Sequence, residues 1–274
     1  MSTTENKKGK YAKVNSLNLY YEVYGTGKPM VLIHGGLGVT GMFEQLVPSL
    51  SEIRQILVIE LQGHGHTTDV ERPFSFEGMA DDVAAFIQHL GLGTSDILGY
   101  SLGGGVALQT AIRHPDSVGK LVIVSSVYKS EGWYPEVLAG MRSINAETGK
   151  TWIGSPMQQA YASVAPKPED WPKLVAKTGD LLRGDYDWSR EVSALQNPTM
   201  IVVGDADAVR TAHAVQFFES LGGGKREGGW DGSGMSKARL AILPATTHYN
   251  ILTSPLLAAT VRSFLENQMP EVMD

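Results

Sequence analysis

The chain has 274 residues, 42% of them hydrophobic, a formal net charge of −6 and no cysteine. That length accommodates one large core, or one core with a lid, as a single α/β domain. The missing thiols exclude disulfides, thiolate catalysis and cysteine-held metal, the acidic balance without a basic stretch excludes a nucleic-acid face, and no apolar run approaches the roughly 20 residues that span a bilayer.

Residues 1–10 are polar and lack the apolar stretch of a secretory signal, which predicts a cytoplasmic protein; Lys7, Lys8, Lys10 and Lys13 read as a solvated tail. Residues 11–14 and 17–24 predict a hairpin turning at Asn15-Ser16. Gly25-Thr26-Gly27-Lys28 is a further turn, because Pro29 stands where a phosphate-binding loop needs Ser or Thr. A strand over 30–33 runs into His34-Gly35-Gly36, a helix is expected over 41–50, and a strand over 55–60 runs into Gln62-Gly63-His64-Gly65-His66-Thr67. A helix over 76–90 and a strand over 95–100 follow.

That strand ends in Gly99-Tyr100-Ser101-Leu102-Gly103, and a helical pattern over 102–113 begins at once. A serine where a strand turns sharply into a helix is held in a strained backbone conformation with its hydroxyl above the sheet edge. The glycines two before and two after are required because a β-carbon there would meet the neighbouring strand or helix. An alcohol is a weak nucleophile at neutral pH, so a base and a group orienting that base are needed.

After a strand over 120–125, the strand–helix alternation breaks between about 127 and 196. That segment holds four of the five tryptophans, Trp133, Trp152, Trp171 and Trp188, and predicts a mostly helical cap. Alternation resumes with a strand over 199–203 that enters Gly204-Asp205-Ala206-Asp207, then a helix over 209–221. A glycine-rich connection over 222–238 reads as a surface loop, with no phosphate-cradle spacing. The last strand, 239–243, enters Pro244-Ala245-Thr246-Thr247-His248, and a final helix covers 254–267. Strands alternating with helices imply a parallel sheet covered on both faces. Of the seven histidines, only His248 lies late in the chain, after a strand and before an amphipathic helix. Candidates for the acid are Asp207, Asp205 (which could accept backbone hydrogen bonds in its turn) and Glu131.

With these motifs in place, residues 10–268 resemble the α/β-hydrolase fold family, a mostly parallel sheet flanked by helices with a helical cap inserted after the sixth strand. The pattern looks most like small bacterial carboxylesterases and lactonases, some acting on pyrethroid-type esters and others on acyl-homoserine lactones. The resemblance implies a core of 1–126 and 197–274, a cap of 127–196, and Asp207 as the acid. It predicts a serine hydrolase working without cofactor or metal on a small-molecule ester or lactone, with Ser101, His248 and Asp207 as its triad. The amides of Gly36 and Leu102 would bind the oxyanion. Leu37, Met42, Phe43, Trp133 and Trp188 are expected to line the substrate pocket; nothing in the chain sets an oligomeric state. His34 is expected to tie loops together.

Three rivals are weighed. A metal hydrolase would use His64, His66 and Asp69, but the spacing lacks an aspartate at 68 and a histidine at 69. An aminopeptidase would draw on the acidic cap residues Glu131, Glu136, Glu147, Glu169, Asp170 and Asp180 to hold an amine; a carbon–carbon hydrolase, a thioesterase or a cofactor-free peroxidase would share the triad. A receptor of this fold would keep the triad without turnover. Haloalkane dehalogenases and most epoxide hydrolases attack with aspartate, so Ser101 argues against them.

Overall fold

The computed structural model describes residues 9–267; Lys7 and Lys8 of the basic tail lie outside them. Eight strands form one sheet: β1 (Lys10–Val14), β2 (Leu17–Tyr24), β3 (Pro29–Ile33), β4 (Gln55–Ile59), β5 (Ser95–Tyr100), β6 (Val118–Val124), β7 (Thr199–Ala206) and β8 (Ala238–Thr247). Their order is β1-β2-β4-β3-β5-β6-β7-β8. β2 pairs antiparallel with β1 and β4, and every other pairing is parallel.

The helices are α1 (Val47–Leu50), α2 (Phe76–His89), α3 (Leu102–Arg113), α4 (Pro135–Arg142), α5 (Ala146–Thr151), α6 (Pro156–Ala162), α7 (Trp171–Arg183), α8 (Ser189–Ser193), α9 (Thr211–Ser220) and α10 (Pro255–Glu266). Strands covered on both faces must be apolar throughout, and the alternation along them sorts two cores. Val31, Ile33, Ile97, Leu121, Ile123, Ile201 and Val203 pack with Val83 and Phe86 of α2 and Val106 of α3. Met30, Leu32, Leu98, Val122, Val124 and Val202 pack on the other face with Leu50 of α1 and Val261 and Phe264 of α10. The Ser75 hydroxyl caps α2 by accepting from the Gly78 amide at 3.0 Å.

The helix expected over 41–50 is instead a 3₁₀ turn, Thr40–Phe43, followed by the short α1. Pro48 explains the break: it has no N–H to bond the carbonyl of residue 44, and Glu44 and Leu46 bond one residue closer, to Gly41 and Phe43.

α4 to α8 all lie between β6 and β7. The chain leaving β6 pairs with the chain returning to β7 through a bridge between Lys129 and Asp187, and with the loop after β7 through a bridge between Trp133 and Val209. α7 is fixed to the loop after β4 by Asp69, which takes Lys173 at 2.7 Å and Lys177 at 2.6 Å. β3 connects outward to β4 while β5 connects the other way to β6, so the crevice above the carboxyl ends of β3 and β5 is where open α/β sheets bind ligands. Among the described residues, no helix is long and apolar enough to cross a membrane.

Candidate active site

Ser101 stands at that crevice, between the last residue of β5 and the first of α3, with φ 54° and ψ −119°. Positive φ in a side-chain-bearing residue is held only where surrounding packing enforces it, and here the enforcement is visible. A β-carbon on Gly99 would lie 2.1 Å from the Gly103 carbonyl oxygen, and one on Gly103 would lie 2.3 Å from the Ile33 oxygen. The two glycines therefore let strand, elbow and helix close on one another.

β7 and β8 run further than the sequence suggested, and the extension matters. After an irregularity past Gly204, Ala206 pairs with Thr247, so the residues that follow the two strands, Asp207 and His248, emerge side by side. His248 Nδ1 donates to Asp207 Oδ1 at 2.9 Å, and His248 Nε2 lies 3.1 Å from Ser101 Oγ. The hydroxyl of Tyr100 donates to the His248 carbonyl at 2.7 Å, and its ring centroid lies 5.3 Å from the imidazole. Trp133 meets the same imidazole edge-on at 5.7 Å.

The Asp207 side chain is fully buried. Burial alone would push its carboxyl up, but bonds from His248, the Ser125 hydroxyl and the Gly204 amide outweigh it and hold the group below the usual carboxylate range. The same oxygen that meets His248 accepts from the Val209 amide at 3.2 Å; the other accepts from Ser125 Oγ at 2.5 Å and Gly204 N at 3.0 Å. Asp205 is exposed and accepts the amides of Ala245 and Thr246 at 3.0 and 3.1 Å. It ties β7 to the stretch before His248 and does not reach the imidazole. Glu131 is 83% exposed beside Lys129, away from this group.

Gly36 lies against the elbow. A β-carbon there would be 3.4 Å from Leu102 Cδ1 and 3.5 Å from Thr178 Cγ2 of α7, and one on Gly35 would be 3.3 Å from Ser101 Cβ. Two buried histidines brace this loop. His34 donates from Nδ1 to the Gly35 carbonyl at 2.7 Å and accepts the Leu61 amide at 3.1 Å. His64 donates to the Gln62 carbonyl at 3.0 Å and accepts the Leu37 amide at 3.1 Å. Each ring thus spans the loops after β3 and β4. Burial lowers both, His64 to about 3, so both are neutral and each proton sits on Nδ1. With both nitrogens of His64 engaged and Asp69 held by two lysines, the metal-ligand reading of His64, His66 and Asp69 has no free donors at either position. Among the described residues, no group of three or more histidine, aspartate or glutamate side chains could hold a metal ion.

Of the expected pocket residues, Leu37 belongs to the core cluster on the α2–α3 face with φ 61°. Phe43, expected in the pocket, is fully buried in the opposite cluster with Leu46 and Leu50, under α1 and α10. Met42 packs against the same cluster. Trp188 is buried and stacks on Tyr186 at 4.4 Å. A shallow cleft between the 63–69 loop and α6–α7, lined by Asp69, Phe74, Tyr161, Lys173 and Leu174, contains neither Ser101 nor His248. Ser125 and Tyr100 touch Asp207 and the His248 carbonyl and were not among the residues expected from the sequence. The available signal was a polar residue directly after an apolar parallel strand (Ser125) and a tyrosine directly before the elbow serine (Tyr100).

A hydroxyl, an imidazole and a buried carboxylate in hydrogen-bonded series can generate an alkoxide-like nucleophile and return the proton to a leaving group. The profile of the alpha/beta hydrolase fold family matches residues 28–227, and the chain belongs to that family. A pimeloyl-[acyl-carrier protein] methyl ester esterase of Neisseria meningitidis serogroup B is 41% identical over 114 residues, 41% of this chain and 42% of that protein's length. The chain thus matches less than half the length of that esterase. The AB hydrolase superfamily protein YisY of Bacillus subtilis is 28% identical over 222 residues, covering 73% of this chain and 82% of that protein. A thermophilic esterase from Thermogutta terrifontis superposes with a TM-score of 0.71 at 20% identity, covering 95% of this chain and 98% of that one, a likeness of fold alone.

Proposed function

We propose that this protein is a serine hydrolase of small-molecule carboxylic esters acting through an acyl-enzyme. The observation that carries the reading is the series Ser101 Oγ, His248 Nε2, His248 Nδ1, Asp207 Oδ1, with contacts of 3.1 and 2.9 Å, built on a serine at positive φ. Ser101 Oγ attacks the ester carbonyl while His248 Nε2 takes its proton. The tetrahedral oxyanion is received by the Gly36 and Leu102 amides, each such donor being worth about 3–4 kcal/mol in the transition state. His248 then protonates the departing alkoxide. Water, deprotonated by the same imidazole, attacks the acyl-enzyme, and the acid leaves as Ser101 regains its proton. Asp207 fixes the tautomer and balances the imidazolium.

Residues 127–196 act as the cap over this centre, with Thr178 against Gly36 and Trp133 against His248. Leu37, Leu102 and Trp133 give the site an apolar character that suits hydrophobic acyl or alcohol groups. The esterase name of the meningococcal relative agrees with the ester class. A lactone passes through the same tetrahedral intermediate and differs only in that the alcohol stays attached, so opening of acyl-homoserine lactones is the second activity to assay.

The test is a panel of short and long p-nitrophenyl esters, a pyrethroid-type ester and acyl-homoserine lactones, each with and without a serine-directed organophosphate and a chelator. Organophosphate-sensitive, chelator-resistant turnover is expected, with the preferred member separating esterase from lactonase. Turnover abolished by the chelator, or none on any member, would overturn the reading.

A further inference from the structure

We propose that Ser125 is a positioning residue for the triad, its hydroxyl gripping the second oxygen of the Asp207 carboxylate from the end of β6; this rests on Asp207 being the catalytic acid. Each Asp207 oxygen takes two donors. Oδ1 takes His248 Nδ1 at 2.9 Å and the Val209 amide at 3.2 Å; Oδ2 takes Ser125 Oγ at 2.5 Å and the Gly204 amide at 3.0 Å. The two amides belong to Asp207's own stretch of chain, Gly204 within β7 and Val209 two residues past the carboxylate. Among the described residues, Ser125 is the one donor besides His248 that comes from another strand's end, so it ties the carboxylate across to β6.

The backbone at this position points the same way. Ser125 is fully buried, its amide donates to the Val202 carbonyl at 2.8 Å, and its φ is 50°. Among the described residues, the only side-chain-bearing positions at positive φ are Asn15, Leu37, Ser101, Ser125 and Ala245. Asn15 turns the opening hairpin. Leu37 comes directly after the Gly36 amide, Ser101 is the elbow, and Ala245 lies three residues before His248. Strained residues gather where geometry is functional, and Ser125 is the member of this set with no other assigned part. Glycine would relieve the backbone at 125 but carries no donor. What the strained position provides is a hydroxyl aimed at the carboxylate from inside the sheet. Held at both oxygens, the carboxylate cannot swing about its Cβ–Cγ bond, and the imidazole it meets keeps Nε2 on Ser101.

The experiment is steady-state hydrolysis of p-nitrophenyl butyrate by the full chain and its variants Ser125→Ala, Ser125→Gly, Asp207→Asn and Ser125→Ala/Asp207→Asn, with urea melts of each. Ser125→Ala keeps the β-carbon and removes only the hydroxyl; Ser125→Gly also removes the strain and carries the test if the alanine variant does not fold. Both are expected to lower kcat about tenfold with KM within about twofold. The serine substitution is expected to add nothing once Asp207 is asparagine, because Ser125 acts through that carboxylate. Wild-type kcat in either folded single variant, or a full tenfold loss persisting in the Asp207→Asn background, would overturn the proposal. If Asp207→Asn itself leaves kcat within tenfold of wild type, the assignment of the acid fails instead, a result separate from the other two.

Discussion

Replacing Asp207 by asparagine preserves shape and removes charge, and the donors around the side chain set the consequence. The carboxylate has two faces, each with one fixed backbone donor: Val209 N on the Oδ1 side and Gly204 N on the Oδ2 side. An amide oxygen placed toward Gly204 and Ser125 puts the NH₂ against Val209 N and His248 Nδ1. The imidazole must then accept at Nδ1 and carry its proton on Nε2, facing Ser101, where it cannot act as base. The opposite flip keeps the tautomer but sets the NH₂ against the Gly204 N–H and still leaves no negative charge beside the imidazolium. Two unit charges about 4 Å apart interact by about 4 kcal/mol at an effective dielectric of about 20, about three powers of ten in rate. The wrong-tautomer flip has cost about 10⁴ in the serine-protease triad. Asp207→Asn should therefore lower kcat for p-nitrophenyl butyrate by about 10³ to 10⁴ while the protein stays folded by circular dichroism. Asp205→Asn, at an exposed carboxylate that accepts the Ala245 and Thr246 amides, should lower it by less than about tenfold. Equal effects, or a larger one at Asp205, would refute the reasoning.

Gly103→Ala forces a β-carbon to 2.3 and 2.4 Å from the Ile33 and His34 carbonyl oxygens, and backbone on both sides cannot yield cheaply. The expected loss is about 1–3 kcal/mol or more in urea unfolding, and a loss below about 0.5 kcal/mol would contradict the close packing. His213 is buried against Tyr128, accepts its amide at 3.3 Å, and is pushed down to about 4 by burial and by nearby Lys129 and Arg210. Its folded value lies below the ordinary 6.5, so its contribution is present above pH about 6.5 and is lost as pH falls toward about 4. His213→Gln, which can still accept the Tyr128 amide, should flatten the fall in melting temperature over that window; parallel pH profiles for the two proteins would contradict the assignment.

Much of this was legible because it is local. The apolar strands, the glycines flanking Ser101 and the loops bearing Asp207 and His248 are each set by spacing within a few residues. The family assignment follows from those same motifs. What stayed hidden depends on partners far along the chain: Ser125 meets Asp207 across 82 residues and Tyr100 meets the His248 carbonyl across 148. The choice between Asp207 and Asp205 turns on the irregularity after Gly204, which sends Asp207 inward and leaves Asp205 outside. Which core Phe43 joins was not legible either: it ends the 3₁₀ turn Thr40–Phe43 and packs on the α1–α10 face, a choice set by the distant helix α10 rather than by its neighbours in sequence.

Covalent capture of Ser101 tests the central claim most directly. The protein is incubated with a fluorophosphonate, residual p-nitrophenyl butyrate hydrolysis is followed, and the adduct is located by peptide mass spectrometry. One phosphonyl group per chain, on Ser101, is expected, with activity falling in step with its occupancy and no labelling of Ser101→Ala. Full activity after labelling, or an adduct on a different residue that tracks the loss, would contradict the account.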